Sequence, residues 1–176
     1  MGAGPGIWAM MMVPRLRVML AMAVLLAGLA LFVALASEWW GGLVPCALCL
    51  VERWPYRVAI ALGLLGLALP RHLARVALAG VVLALLAGAG AATVHVGVEQ
   101  GWWPSPLPEC MAPTLYHGSM AERLAHMPAQ PSKACEDPTY LIARLPVSMA
   151  QMNLAFALAL AAALATFGWR TRRSDP

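Results

Sequence analysis

From Val18 to Ala36 the chain carries nothing but apolar residues and one glycine. As a helix, such a run is long enough to cross the roughly 30 Å of hydrocarbon in a bilayer. Lipid offers the backbone no hydrogen-bond partners, so a segment there must be a helix or part of a closed barrel. Unbroken apolarity without period-two alternation selects the helix. Stretches at about 50–69, 76–98 and 147–169 repeat the pattern, the first span being about 18–37. With 61% hydrophobic and 11% charged residues, the chain is too apolar for a soluble domain. The expectation is an all-α membrane protein: one integral domain over 1–176, built as a four-transmembrane-helix bundle with outer loops at about 38–49 and 99–146. Ala34-Leu35-Ala36 also fits a small-x-small cleavage pattern, but the run before it is longer than a signal-peptide core, so a retained span is expected.

Charge orients the bundle. Arg15, Arg17, Arg71, Arg75, Arg170, Arg172 and Arg173 fall in the head, the short turn after Pro70 and the tail. Lys and Arg mark the cytoplasmic side, so both termini are expected there. Glu38, Glu52, Glu99, Glu109, Glu122, Glu136 and Asp137 fall on the opposite side. Between Gln100 and Pro146, Pro104, Pro106, Pro108, Pro113, Pro128, Pro131 and Pro138 exclude another span. One piece of that loop has order: Ser119-Met120-Ala121-Glu122 is a capping-box pattern. Met120, Leu124 and Met127 then share a face, which suits a short helix on the membrane surface or against another loop.

The chemistry lies in four cysteines, all on the outer side. In a helix, Cys46 and Cys49 are i and i+3 and share a face, and Arg53 returns to that side one turn later. A nearby cation and a helix N-terminus both lower a thiol pKa. Pro45 suits the first helical turn. Pro55 should make the helix restart or kink, since it removes the bond to the Val51 carbonyl. Glu52, Arg53 and Arg57 must lie near the headgroups or face a protein-lined cavity. A redox dithiol, a static disulfide and a zinc site shared with Cys110 and Cys135 are the readings open here; the first is preferred and no metal is expected. Covalent haem attachment is excluded because no His follows Cys49. Phosphate loops, metalloprotease motifs and basic-aromatic stretches are absent from the sequence, so nucleotide and nucleic acid are poor partners. His95, near the far end of the third span, is a functional candidate as an intramembrane histidine, or a core His bonded to a carbonyl. Gln151 and Asn153 read as interhelical hydrogen-bond partners.

Pro45-Cys46-Ala47-Leu48-Cys49 with Glu52-Arg53 resembles the disulfide bond formation protein B (DsbB) family. The likeness continues at His95-Val96-Gly97-Val98-Glu99-Gln100 with Trp103-Pro104, at Cys110 and Cys135, and at Ser148-Met149-Ala150 with Asn153. The resemblance implies an inner-membrane enzyme, its outer loops periplasmic, that reoxidises a DsbA-type thioredoxin-fold oxidase and passes electrons to ubiquinone or menaquinone. By position, Cys46 and Cys49 would be the quinone-coupled pair, with Cys49 facing the quinone. Arg53, and more weakly His95, would bind that cofactor. Cys110 would be attacked by the partner, and Cys135 would exchange with Cys46. A paralogue serving one dedicated client and a non-catalytic scaffold with structural disulfides are the alternatives.

Overall fold

The computed structural model describes residues 5–110, 119–125, 133–142 and 145–173. Four long helices form the body: α1 (Pro5–Trp39), α2 (Ala47–Ala68), α3 (Arg71–Glu99) and α5 (Met149–Arg173). A 3-10 turn, Pro108–Cys110, and a six-residue helix α4, Met120–Ala125, lie in the connection between α3 and α5. The described residues hold no strand, only an isolated parallel bridge between Cys46 and Lys133. Among the described residues, three helices are long and apolar enough to cross a membrane, over Arg15–Trp39, Arg71–Glu99 and Met149–Arg170. The remaining long helix, α2, has 22 residues and carries Glu52, Arg53 and Arg57 in its first half.

The helices pack in the order α1, α2, α3, α5, with α1 and α5 touching only lightly. Leu16, Leu20, Tyr56, Val81, Leu85, Leu160 and Leu164 fill the centre. Small residues allow the close approaches. A Cβ at Gly88 would press on the Pro55 ring, and one at Gly66 would meet Ala77 and Leu20. Apolar side chains on the outer surface, among them Leu25, Leu29, Val76 and Leu83, are exposed as lipid-facing residues are.

Several boundaries differ from the sequence reading. α1 begins at Pro5, well before Val18. α2 begins at Ala47, so Pro45 precedes the helix and Cys46 is its N-cap, in extended conformation. Pro55 neither restarts nor ends α2, which runs unbroken through it. The missing N–H costs one hydrogen bond, and the ring is accommodated beside Gly88. The arginine-rich turn shrinks to Leu69 and Pro70, since α3 already starts at Arg71. Gln151 is not an interhelical partner: its N–H donates to Ser148 Oγ (3.2 Å), and its side-chain oxygen accepts from the Ser148 N–H (3.2 Å). That is a capping box opening α5.

The capping box at Ser119 and Glu122 forms, with the Ser119 N–H donating to Glu122 at 2.8 Å. Those bonds hold the Glu122 carboxyl below the usual range. Met127 and His126 lie outside the described residues, as do Pro113, Pro128 and Pro131. At the other end of this connection, α3 closes in a Schellman motif. Trp102 N–H reaches Gly97 O (2.9 Å) and Gly101 N–H reaches Val98 O (3.1 Å). Gly101 takes the positive φ of 69° that this cap requires. The chain then folds back along α3, with Trp103 Nε1 donating to Val94 O (3.1 Å) and its indole lying on Gly97.

Candidate active site

Both cysteine pairs meet at one end of the bundle. Cys46, Leu48, Val98, Cys110 and Cys135 form one buried cluster, with Ala47, Cys49 and Leu107 packed against it. Cys110 and Cys135 are joined as a disulfide, which closes the loop across 25 residues. Cys135 N–H also donates to Cys110 O (3.2 Å). The bridge between Cys46 and Lys133 lays this segment beside the start of α2. Lys133 Nζ pins the segment further by donating to Pro138 O (3.1 Å) and Thr139 Oγ1 (2.9 Å).

Cys46 and Cys49 are free thiols whose sulfurs stand 2.9 Å apart. As N-cap, Cys46 Sγ accepts the Cys49 backbone N–H at 3.2 Å, and His95 Nε2 lies 3.5 Å from it. The hydrogen bond with the Cys49 thiol, and then His95, hold the Cys46 thiol well below the usual thiol range against the opposing effect of burial. The negative charge of a reduced pair is therefore favoured on Cys46.

Behind the sulfurs lies a buried polar network. His95 Nδ1 donates to Glu52 Oε1 (2.7 Å); Glu52 Oε2 accepts from Asn153 Nδ2 (2.6 Å); Asn153 Oδ1 accepts from the Tyr56 hydroxyl (2.6 Å). Ser148 donates to Glu99 Oε2 (2.5 Å), and Glu99 Oε1 stands 3.9 Å from His95 Nε2. Satisfied networks of this kind are tolerated inside a bundle because each buried group has a partner. Arg53 is ion-paired with Glu38 at the end of α1, not with its neighbour Glu52. Its Nε is buried with no partner among the described residues.

A largely apolar cavity of about 270 Å³ opens where α1 and α5 separate. Cys49, Glu52, Arg53, Tyr56 and Asn153 contribute its polar wall, while Leu29, Val33, Met152 and Phe156 are among its apolar lining. The structure thus brings Cys49 and Arg53 to one cavity, and Cys110 and Cys135 into the buried cluster that holds Cys46. His95 is not on the cavity wall; it touches Cys46 and reaches the cavity only through Glu52. Glu38, Glu99, Tyr56 and Ser148 were not singled out from the sequence as site residues, nor was Glu52 beyond its charge. Their partners lie elsewhere in the fold; the rarity of charge within apolar helices marked the glutamates, and Glu52, Glu99 and Ser148 stood in the motifs of the resemblance without a role of their own.

The family described as "Disulfide bond formation protein DsbB" matches residues 16–167. The "Uncharacterized protein RP370" of Rickettsia prowazekii (strain Madrid E) is 29% identical over 142 residues, which is 80% of each chain. No solved structure matches.

Proposed function

Because the chain belongs to the DsbB family, we propose that it reoxidises a periplasmic DsbA-type thioredoxin-fold oxidase and delivers the electrons to a membrane quinone. In this reading α2 is a fourth span, the arginine-rich ends are cytoplasmic and the cysteine pairs are periplasmic. The observation that carries the proposal is the single buried cluster of both cysteine pairs, one sulfur of which borders an apolar cavity.

The exchange balances without an outside reagent until its last step. A partner thiolate attacks Cys110, and Cys135 leaves as a thiolate. Cys135 then attacks Cys46 of a Cys46–Cys49 disulfide and releases the Cys49 thiolate. The partner's second thiolate displaces Cys110, and Cys110 displaces Cys46 from Cys135. The partner is then oxidised, Cys110–Cys135 is restored, and the Cys46–Cys49 pair holds two electrons.

The cavity fits a quinone headgroup: its walls are apolar, Cys49 stands on its border, and the unpaired Arg53 Nε is a donor suited to a carbonyl oxygen. When bound, a quinone supplies a two-electron, two-proton acceptor. Arg53 and the apolar wall would hold it, with Cys49 beside it. His95 and Glu52 offer a proton route between the Cys46 end of the site and the cavity wall. Tyr56 and Asn153 keep Glu52 in place. The test is whether purified protein consumes a soluble quinone when given a reduced thioredoxin-fold partner. Loss of partner thiols in step with quinone is expected; partner thiols that stay reduced would refute the reading.

A further inference from the structure

The Cys46, Cys49 and His95 side chains point their ligating atoms at a common space, all within 4.8 Å of one another. We propose that the reduced site is also a zinc-class metal site, with Cys46 Sγ, Cys49 Sγ and His95 Nε2 as ligands. The inference concerns metal binding by the reduced pair and is independent of partner and quinone.

Three observations support it. First, the spacing suits the ion. Zinc–sulfur and zinc–nitrogen bonds of about 2.3 and 2.0–2.1 Å set a tetrahedral sulfur–nitrogen edge of about 3.6 Å and a sulfur–sulfur edge of about 3.8 Å. The Cys46–His95 separation is 3.5 Å, and the sulfurs, now 2.9 Å apart, need only spread by somewhat under an ångström. Second, the histidine is prepared as a ligand. Glu52 Oε1 engages Nδ1 at 2.7 Å and fixes the ring, so that Nε2 is the nitrogen turned toward Cys46. A carboxylate behind a ligating histidine is the usual outer partner of a metal site. Third, the charges cancel. Two thiolates neutralise a divalent ion, which suits a site whose ligands are largely buried.

Binding releases the two thiol protons and changes no oxidation state. The fourth position falls to water or to Glu99 Oε1, which stands 3.9 Å from the same His95 nitrogen. Metal and disulfide compete for the same sulfurs, so a loaded site blocks closure of the Cys46–Cys49 bond until the metal is withdrawn. Cys110 and Cys135 are already bonded to each other and take no part. Thiolate donors with one imidazole favour zinc over calcium or magnesium.

The test is a cobalt(II) titration of the reduced Cys110→Ser/Cys135→Ser chain in detergent, followed by zinc competition. The expected result is a set of tetrahedral cobalt d–d bands with a thiolate-to-metal band of two-sulfur intensity, erased by zinc. Glu52→Gln should weaken binding about 10- to 100-fold, and His95→Ala by more than about 100-fold. His95→Cys should keep tight binding while raising the thiolate band toward three-sulfur intensity, so a folding defect in His95→Ala does not decide the matter. The fully reduced parental chain, titrated in parallel, serves if the serine variant does not fold. Absence of tetrahedral bands, or bands and affinity indifferent to His95, would overturn the site. Since neither quinone nor partner is present, that failure would leave the proposed relay untouched.

Discussion

Substitution can separate the ion pair of Arg53 from its proposed role at the quinone. It is ion-paired with Glu38, and the two side chains are only 10% and 18% exposed. Removing one member of a buried pair costs about 3–5 kcal/mol, because the other charge is left uncompensated. Partial exposure of Glu38 lowers the expectation to about 2–3 kcal/mol for Arg53→Gln, and similarly for Glu38→Gln. Removing both charges also removes the desolvation penalty, so the double variant should lose only about 1 kcal/mol, a coupling of about 3 kcal/mol or more. Reversible unfolding in mixed micelles, followed by circular dichroism, measures the cycle. Turnover should not follow stability. The double variant still lacks the cavity's guanidinium donor, so kcat/KM for quinone should fall about 100-fold, the scale of losing one donor to a developing oxyanion. Glu38→Gln alone should retain turnover to within several-fold. Arg53→Lys should fall between, since it keeps the charge and loses the fork. Singles that add to within about 0.5 kcal/mol would refute the ion-pair argument. A double variant with parental kcat/KM would remove Arg53 from the quinone site.

Cys110→Ser or Cys135→Ser should abolish oxidation of the partner while quinone still oxidises Cys46–Cys49, and opening the loop should cost about 3–4 kcal/mol; thiol trapping would refute the relay if partner oxidation kept its parental rate. Gly97→Ala would drive a methyl into the Trp103 indole, so we expect a loss of about 1–3 kcal/mol and a shift in tryptophan emission, and an unchanged spectrum would deny that Trp103 packs there. In whole cells, a membrane-impermeant thiol reagent applied after reduction should label Cys110 and Cys135; labelling only after lysis would reverse the sidedness. Because Cys46 is held well below the usual thiol range, its thiolate should persist through neutral pH and vanish only in acid, as pH falls through the lowered midpoint. Ultraviolet absorbance of the reduced Cys110→Ser/Cys135→Ser chain tests this: Cys49→Ala should move the midpoint upward, and a midpoint already in the ordinary thiol range would contradict stabilisation of the Cys46 thiolate by Cys49 and His95.

The sequence was most legible where its signals are local. Apolar runs located the long helices, and the i, i+3 spacing put Cys46 and Cys49 sulfur to sulfur. Pro55 does not restart α2, because the cost of one lost hydrogen bond is small beside the packing of α2 on α3, where Gly88 makes room for the ring. That Arg53 does not pair with Glu52 was readable too: adjacent helical residues do not face each other, which leaves Arg53 for Glu38. The Ser148–Gln151 capping box was equally readable, by the same pattern that located α4. His95, Glu52 and Asn153 were different. They come from α3, α2 and α5, and their meeting depends on how three helices pack, which no periodicity encodes.

Burial of the outer disulfide gives it selectivity. Cys110 is 1% exposed and Cys135 0%, so a small thiol diffusing in bulk solvent finds no sulfur to attack. The segment must first lift away from the start of α2, and that opening has a free-energy cost. A reductant carried on a binding surface can repay the cost through contacts with the lifted segment; glutathione-sized thiols have no such surface. In the proposed relay, such burial would insulate the electron path by access instead of by potential, with residues 133–139 as the segment that has to open.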